Sequence, residues 1–133
     1  MHCSTSGVSA VILFLIGAGG FAGAAARLWI NQTAARWLGS NLPWGTFLAN
    51  VSGSFLLGWL AGLALQGAAI PSEWLMAGTT GFLGAYTTFS TLNLETLRLA
   101  DRHGSHLGLL NLLLSTLVGL AAALAGILLG MAA

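Results

Sequence analysis

The chain has 133 residues, of which 56% are hydrophobic and only 5% charged; it has four Arg, no Lys and a formal net charge of +1. A water-soluble domain of this size carries about a quarter charged residues, so lipid must be the solvent for most of this chain. The charge balance leaves no basic patch for nucleic acid, and the lone Cys3 leaves no disulfide or thiolate metal site within one chain.

The seven formal charges, Arg27, Arg36, Glu73, Glu95, Arg98, Asp101 and Arg102, divide the chain into apolar stretches. A helix needs roughly 20 apolar residues to cross the hydrocarbon core. Four spans are therefore expected, at about 8–28, 45–65, 74–100 and 107–131, in a single transmembrane domain covering 1–133. Trp29, Trp37, Trp44 and Trp74 fall near span ends, where an indole prefers the headgroup level. Trp59 falls inside a span and is expected to pack against a neighbouring helix.

The first span ends at Arg27, which can snorkel its guanidinium to the interface. Ala24-Ala25-Ala26 offers the small residues of a cleavage site, but residues 1–9 hold no Lys or Arg. The basic segment of a signal peptide is missing, so the span is expected to be retained. Gly19 and Gly23 stand four apart, as do Gly58 and Gly62 in the second span and Gly126 and Gly130 in the fourth. Such pairs bare two patches of backbone on one helix face and let another helix approach closely, within a bundle or in a dimer.

The second span carries Asn50, Ser52 and Ser54 among apolar residues, and the fourth carries Asn111, Ser115 and Thr116. A buried Asn presents two N–H donors and a buried Ser one O–H donor. Donors suit an anion, and no Lys is available to hold one by charge. The expected lining is thus neutral donors around a small, largely dehydrated anion.

The third span is too polar for a simple anchor. Ser, Thr or Asn occupies seven of the 15 positions from Thr79 to Asn93, interrupted by Gly81 and Gly84. Any one hydroxyl can bond back to the carbonyl a turn earlier. The cluster exceeds that explanation, and Gly84 is expected to open the helix without steric cost. Carbonyls freed at that depth are tolerated inside protein or at an ion or water site, and they suit a hard cation. Glu95 ends this polar stretch. It is either a functional ionisable group within the span or a headgroup-level partner of Arg98 or Arg102. His103 and His106 form an H-x-x-H pair, but only Asp101 lies nearby to complete a ligand set, so no metal is expected there. No nucleophile elbow, phosphate loop or carboxylate pair is present, so no enzyme activity is expected.

Three segments converge on one family. Gly19-Gly20-Phe21-Ala22-Gly23-Ala24-Ala25-Ala26-Arg27 resembles the G-x-x-x-G-A-x-x-R segment of the CrcB/Fluc fluoride channels. Pro43-Trp44-Gly45-Thr46-Phe47-Leu48-Ala49-Asn50-Val51-Ser52-Gly53-Ser54-Phe55 resembles their P-x-G-T-x-x-x-N-x-x-G-x-x segment. Gly81-Phe82-Leu83-Gly84-Ala85-Tyr86-Thr87-Thr88-Phe89-Ser90-Thr91 resembles their G-F-x-G-x-x-T-T-F-S-T signature, the most specific of the three.

The resemblance implies an all-α membrane protein with four transmembrane helices, the third of them broken. It implies an antiparallel, dual-topology homodimer in the inner (plasma) membrane that releases fluoride passively from the cytoplasm. It also implies a structural sodium ion at the dimer centre, held by the backbone carbonyls of Gly84 and Thr87. The fluoride pore it implies is lined by Asn50, Phe89, Ser90, Thr91 and Ser115, with Glu95 in the vestibule and Arg27 as the first-helix Arg. Two positions depart from the pattern: Leu92 stands where a second Phe would turn its electropositive edge to the anion, and Asn111 replaces a Tyr one turn before Ser115.

Two rival readings are a small multidrug-type exporter and a non-conducting partner subunit. The exporter chemistry needs a carboxylate in the first span, and there is none. Leu92 and Asn111 are what keep the partner subunit open. Orientation gives opposed expectations. With Arg27 set aside, Arg36, Arg98 and Arg102 lie on the side opposite the termini, three to none. That bias alone would hold one orientation and would favour a heterodimer with a paralogue, whereas the resemblance implies both orientations in a homodimer.

Overall fold

A computed structural model of the chain describes residues 9–133. His2, Cys3 and the expected start of the first span at Val8 lie outside the described residues. Among those described, every regular element is helical: α1 (Ala10–Leu38), α2 (Trp44–Leu65), α3 (Ser72–Met76), a π-helical stretch (Ala77–Leu83), α4 (Gly84–Tyr86), α5 (Phe89–His103) and α6 (Ser105–Ala132). Three of these, α1, α2 and α6, are long and apolar enough to cross a membrane.

Helix α1 begins where Ser9 accepts a hydrogen bond from the Ile12 N–H at 3.3 Å, a side-chain cap for an otherwise unpaired donor. It runs 29 residues, about 44 Å at 1.5 Å per residue. It therefore passes well beyond the expected limit near residue 28, and Arg27 lies inside the helix rather than at its end. The reason is physical: Asn31, Gln32 and Thr33 end the apolar run without breaking helical backbone, which stops only at Gly39 with φ +84°. Helices α2 and α6 begin and end within two residues of their expected limits.

The interval 72–103 departs most from a regular helix. The π-helical turns of residues 77–83 were not expected; such turns are rare and frequent at functional sites. The chain then leaves helical geometry at Thr87 (φ −85°, ψ 153°) and Thr88 (φ −153°, ψ 121°). Helix α5 starts afresh with Thr88 as its cap, the Thr88 hydroxyl accepting from the Thr91 N–H at 3.2 Å. Gly84 itself is helical, at φ −61° and ψ −35°. The expectation that Gly84 opens the helix is corrected: the opening lies at two Thr residues in extended angles that β-branched side chains adopt readily.

The glycine pairs hold the protomer together. An added Cβ at Gly19 or Gly23 would strike the carbonyls of Ala77 or Phe82 in the π-helical stretch. One at Gly58 or Gly62 would strike Ala123 or Ile127 of α6, and one at Gly126 or Gly130 would strike Phe55 or Trp59 of α2. All three pairs thus lie at contacts within one chain. The backbone of Trp59 sits against Gly126 and Gly130, whereas the residue as a whole is 39% exposed, so its contact with the neighbouring helix is made by the main chain.

The buried core is small, centred on Ala49, Leu83 and Tyr86. Large apolar side chains instead point outward, among them Phe14, Phe21, Trp29, Trp37, Leu65 and Trp74. An inside this poor and an outside this apolar suit a lipid solvent, in which packing of small residues replaces hydrophobic burial.

Candidate functional site

Helix α2 presents Asn50 to the break. Its Oδ1 accepts from the Thr88 N–H at 2.8 Å, and its Nδ2 donates to the Thr88 carbonyl at 3.0 Å. One carboxamide therefore pairs both polar groups of a residue that has left the helix, as a neighbouring strand would. The expectation of two free donors on Asn50 is corrected to one, because an Nδ2 hydrogen is engaged at Thr88. Ser52 is also engaged, bonding the Leu48 carbonyl at 2.7 Å and the Tyr86 hydroxyl at 2.9 Å.

The hydroxyls of the polar stretch divide into two groups. Thr79 bonds back to the Leu75 carbonyl at 2.7 Å, and Thr87 to that of Leu83 at 2.9 Å. These are satisfied locally, as any lipid-embedded Thr can be. Thr88 instead links onward to Ser90 at 3.2 Å and Thr91 at 3.1 Å, which chains three hydroxyls at the start of α5.

On α6, Thr116 bonds back to Leu112 at 2.8 Å, and Asn111 donates to Thr96 of α5 at 2.9 Å. Ser115 is different: it is 5% exposed, and its Oγ has no hydrogen-bond partner among the described residues. An unpaired buried hydroxyl costs about 1–3 kcal/mol and calls for an explanation.

A cavity of about 540 Å³ gathers these groups: Asn50, Phe89, Leu92 and Ser115 line it together with Gly84 and Thr87. Phe89 is 69% exposed, whereas Leu92 is 5% exposed. The ring is offered outward and the Leu is part of the protomer's packing. Ser115 also lines an adjoining cavity of about 360 Å³ with Asn111, among Leu and aromatic residues.

Glu95 belongs to a third cavity, of about 310 Å³, at the end of the molecule where the loop 39–43 meets the C-terminal half of α5. Its Oε1 accepts from the Thr46 hydroxyl at 3.1 Å, and its buried Oε2 has no partner among the described residues. No salt bridge to Arg98 or Arg102 forms, although both line the same cavity. Arg27 is half-buried on α1 and lines none of these three cavities.

Neither Thr46 nor Thr88 stands out individually in the sequence. Thr46 stands in the second quoted motif, but its partner Glu95 is 49 residues away, and nothing in the sequence pairs them. Thr88 acts through its main chain, which side-chain chemistry does not announce. Among the described residues no cluster of three or more His, Cys, Asp or Glu could hold a metal ion.

Comparison with known proteins gives a consistent result. The chain is 48% identical over 114 residues to the fluoride-specific ion channel FluC of Methylococcus capsulatus, covering 86% of this chain and 50% of that relative. It thus spans about half the length of that relative. It is 44% identical over 118 residues to FluC of Phenylobacterium zucineum, covering 88% and 93%. It is 41% identical over 126 residues to FluC 2 of Mycobacterium tuberculosis, covering 95% of each. The profile of the family described as CrcB-like protein, Camphor Resistance (CrcB) matches residues 14–127, and the chain belongs to that family.

Proposed function

We propose that the chain is a fluoride-selective ion channel that lets fluoride leave the cytoplasm passively across the plasma membrane, rather than an enzyme. The observation that carries this reading is the 540 Å³ cavity, where Asn50, Phe89 and Ser115 converge from three separate segments with one buried hydroxyl unpaired. Fluoride is a small, strong acceptor. The free Asn50 N–H, the Ser115 O–H and the electropositive edge of Phe89 can replace part of its water. Ser90 and Thr91 extend the row of hydroxyls, and Glu95 with Thr46, which line a separate cavity, are proposed as the vestibule. Arg27 keeps its family role here as an expectation only. Hydrogen fluoride crosses lipid as a neutral acid and ionises inside, so a passive path for the anion lowers its toxicity without an energy source.

The channel is proposed to have four spans, the third being the discontinuous interval 72–103, and to act as an antiparallel dual-topology homodimer. The cavity is open on its outer side, and exposed Phe89 is available to a second copy. A structural sodium ion is proposed at the dimer centre on the carbonyls of Gly84 and Thr87. The backbone supports the fit. The Thr88 N–H that an α-helix would bring to the Gly84 carbonyl goes to Asn50 instead. The Thr91 N–H that would reach the Thr87 carbonyl goes to the Thr88 hydroxyl. When bound, sodium would supply a fixed positive charge that balances converging carbonyl dipoles.

The function is tested by a fluoride electrode outside liposomes loaded with potassium fluoride and containing only this chain. Fluoride efflux far faster than chloride efflux is expected. Chloride released as fast as fluoride would remove the selectivity, and no flux of either would favour the partner-subunit reading. Orientation is tested by labelling Ser72→Cys in intact cells after Cys3 is replaced by Ser. Half of the molecules labelled fits dual topology, and all or none fits a heterodimer.

A further inference from the structure

We propose that Asn50 is a positioning residue for the carbonyl site: its carboxamide takes over the hydrogen bonds of Thr88 and so holds the Gly84 and Thr87 carbonyls clear for a cation. This deepens the channel reading and rests on it for the identity of the ions, although the clamp itself does not.

The case starts from the backbone. Were residues 84–91 one continuous α-helix, the Thr88 N–H would close on the Gly84 carbonyl and the Thr91 N–H on the Thr87 carbonyl. Both donors are diverted. The first goes to Asn50 Oδ1 at 2.8 Å and the second to Thr88 Oγ1 at 3.2 Å. The diversion of Thr88 needs a partner from another helix, because the extended ψ of Thr87 (153°) turns the Thr88 N–H away from the preceding turn. Asn50 is that partner, and it also satisfies the Thr88 carbonyl at 3.0 Å. Both bonds must form at once, and the side-chain chemistry is selective. Asp offers an acceptor to the N–H but sets a second oxygen against the carbonyl. Leu has a similar size and offers neither group.

Helix α2 is a fixed support for this clamp. Ala49 beside Asn50 is fully buried. One turn on, Gly53 lies against Tyr86 and Thr87, and an added Cβ there would stand 3.2 Å from the Tyr86 ring. The same residue therefore serves two sites. One N–H of Asn50 remains for the anion cavity, while its other polar groups fix the peptide beside the freed carbonyls. A change at Asn50 should disturb both the anion path and the cation site, which an anion ligand alone would not do.

The test is hydrogen exchange resolved to single amides on the full chain in lipid nanodiscs, with wild type, Asn50→Leu and Thr88→Val. In the wild type the Thr88 amide is expected to exchange as slowly as amides inside α2. Asn50→Leu should speed it by about tenfold or more, as expected for losing hydrogen bonds from a buried peptide group. Thr88→Val keeps the Asn50 clamp, so Thr88 should stay slow while Thr91 becomes fast. The second readout is the sodium concentration that holds half the protein dimeric, with N-methylglucamine as the replacing cation. Asn50→Leu should raise it about tenfold, by the same loss of two hydrogen bonds.

A wild-type Thr88 amide that exchanges like an open loop would overturn the clamp. So would an unchanged rate in Asn50→Leu. An unchanged sodium requirement with a faster Thr88 amide would overturn its link to the cation. If Asn50→Leu does not fold, the wild-type and Thr88→Val rates decide the clamp, and Asn50→Asp supplies the sodium measurement. A wild type that passes no fluoride would remove the channel reading without altering any exchange rate.

Discussion

Between α2 and α6 two helices run unbroken through their contact, and their backbones touch because Gly58, Gly62, Gly126 and Gly130 leave room. Between Tyr86 and Phe89 the backbone leaves the helix, and the side chains of Asn50 and Thr88 take over its hydrogen bonds. The first region is rich in glycine, and the second in hydroxyl side chains. The first holds the protomer together through close backbone contact. The second spends little on packing and exposes polar groups toward a cavity. The difference separates residues whose loss should unfold the chain from residues whose loss should only silence it.

The largest effect is expected at the seam. In Gly126→Val, the first added carbon would stand 2.8 Å from the Trp59 nitrogen and nearer still to the Phe55 carbonyl. Neither is the movable end of a side chain, so the helices must separate. Overpacking of a tight contact costs about 1–3 kcal/mol and occasionally more, and a backbone neighbour puts this case at the upper end. Thermal unfolding in detergent micelles should show the loss even in monomers. A midpoint within a degree or two of wild type would mean the seam is looser than its geometry.

The next pair sets the two regions against each other over one helical turn. Leu92 is 5% exposed and Phe89 is 69% exposed. Leu92→Ala should destabilise the protomer by about 2–3 kcal/mol, as buried Leu truncations do. Phe89→Ala should leave protomer stability nearly unchanged and strongly reduce fluoride flux. Leu92 stands where a second ring would be, and its burial gives that place a measurable packing weight. Equal flux in the two variants, corrected for folded protein, would mean that the ring edge is not used.

Ser115→Ala carries the contrast to a single oxygen. The Ser115 Oγ has no partner among the described residues, so its removal should leave stability unchanged or raise it by about 1 kcal/mol. Flux should fall about tenfold, the scale of one hydrogen bond to a charged species. Loss of stability without loss of flux would return Ser115 to the packing group.

How much of this was legible in the sequence follows the same division. The limits of α2 and α6 could be read within two residues, because apolar length and the flanking Pro43 and Gly104 determine them. Asn50 and Ser115 could be read as polar groups in apolar spans, since a donor is costly there without a task. The end of α1 could not, because Asn31 and Gln32 stop a hydrophobic run but not a helix. Nor could the site of the opening. Gly84 was the residue with conformational freedom, yet the opening falls at Thr87 and Thr88, where Asn50 of another helix makes an extended backbone affordable. That pairing spans 38 residues, and no local pattern encodes it.

Gly84→Ala is the smallest expected change and the sharpest on this point. Within the protomer an added Cβ at Gly84 meets only the Thr79 carbonyl, at 3.7 Å, an ordinary contact. Its backbone is already right-handed helical, so Ala should be tolerated and even favoured by about 0.5–1 kcal/mol through helix propensity. Gly81 is the control, since a Cβ there would stand 2.6 Å from the Ile16 carbonyl. Gly81→Ala should therefore destabilise the protomer while Gly84→Ala does not. Measured in monomers, Gly84→Ala should match wild type in thermal midpoint or exceed it. Measured in lipid, it should weaken dimerisation if a second copy approaches the Gly84 carbonyl as closely as the proposed cation site requires. A variant that is stable as a monomer and impaired as a dimer would assign the need for glycine to the partner's approach. Undiminished dimerisation and flux would show that the carbonyl, rather than the missing side chain, is what Gly84 contributes.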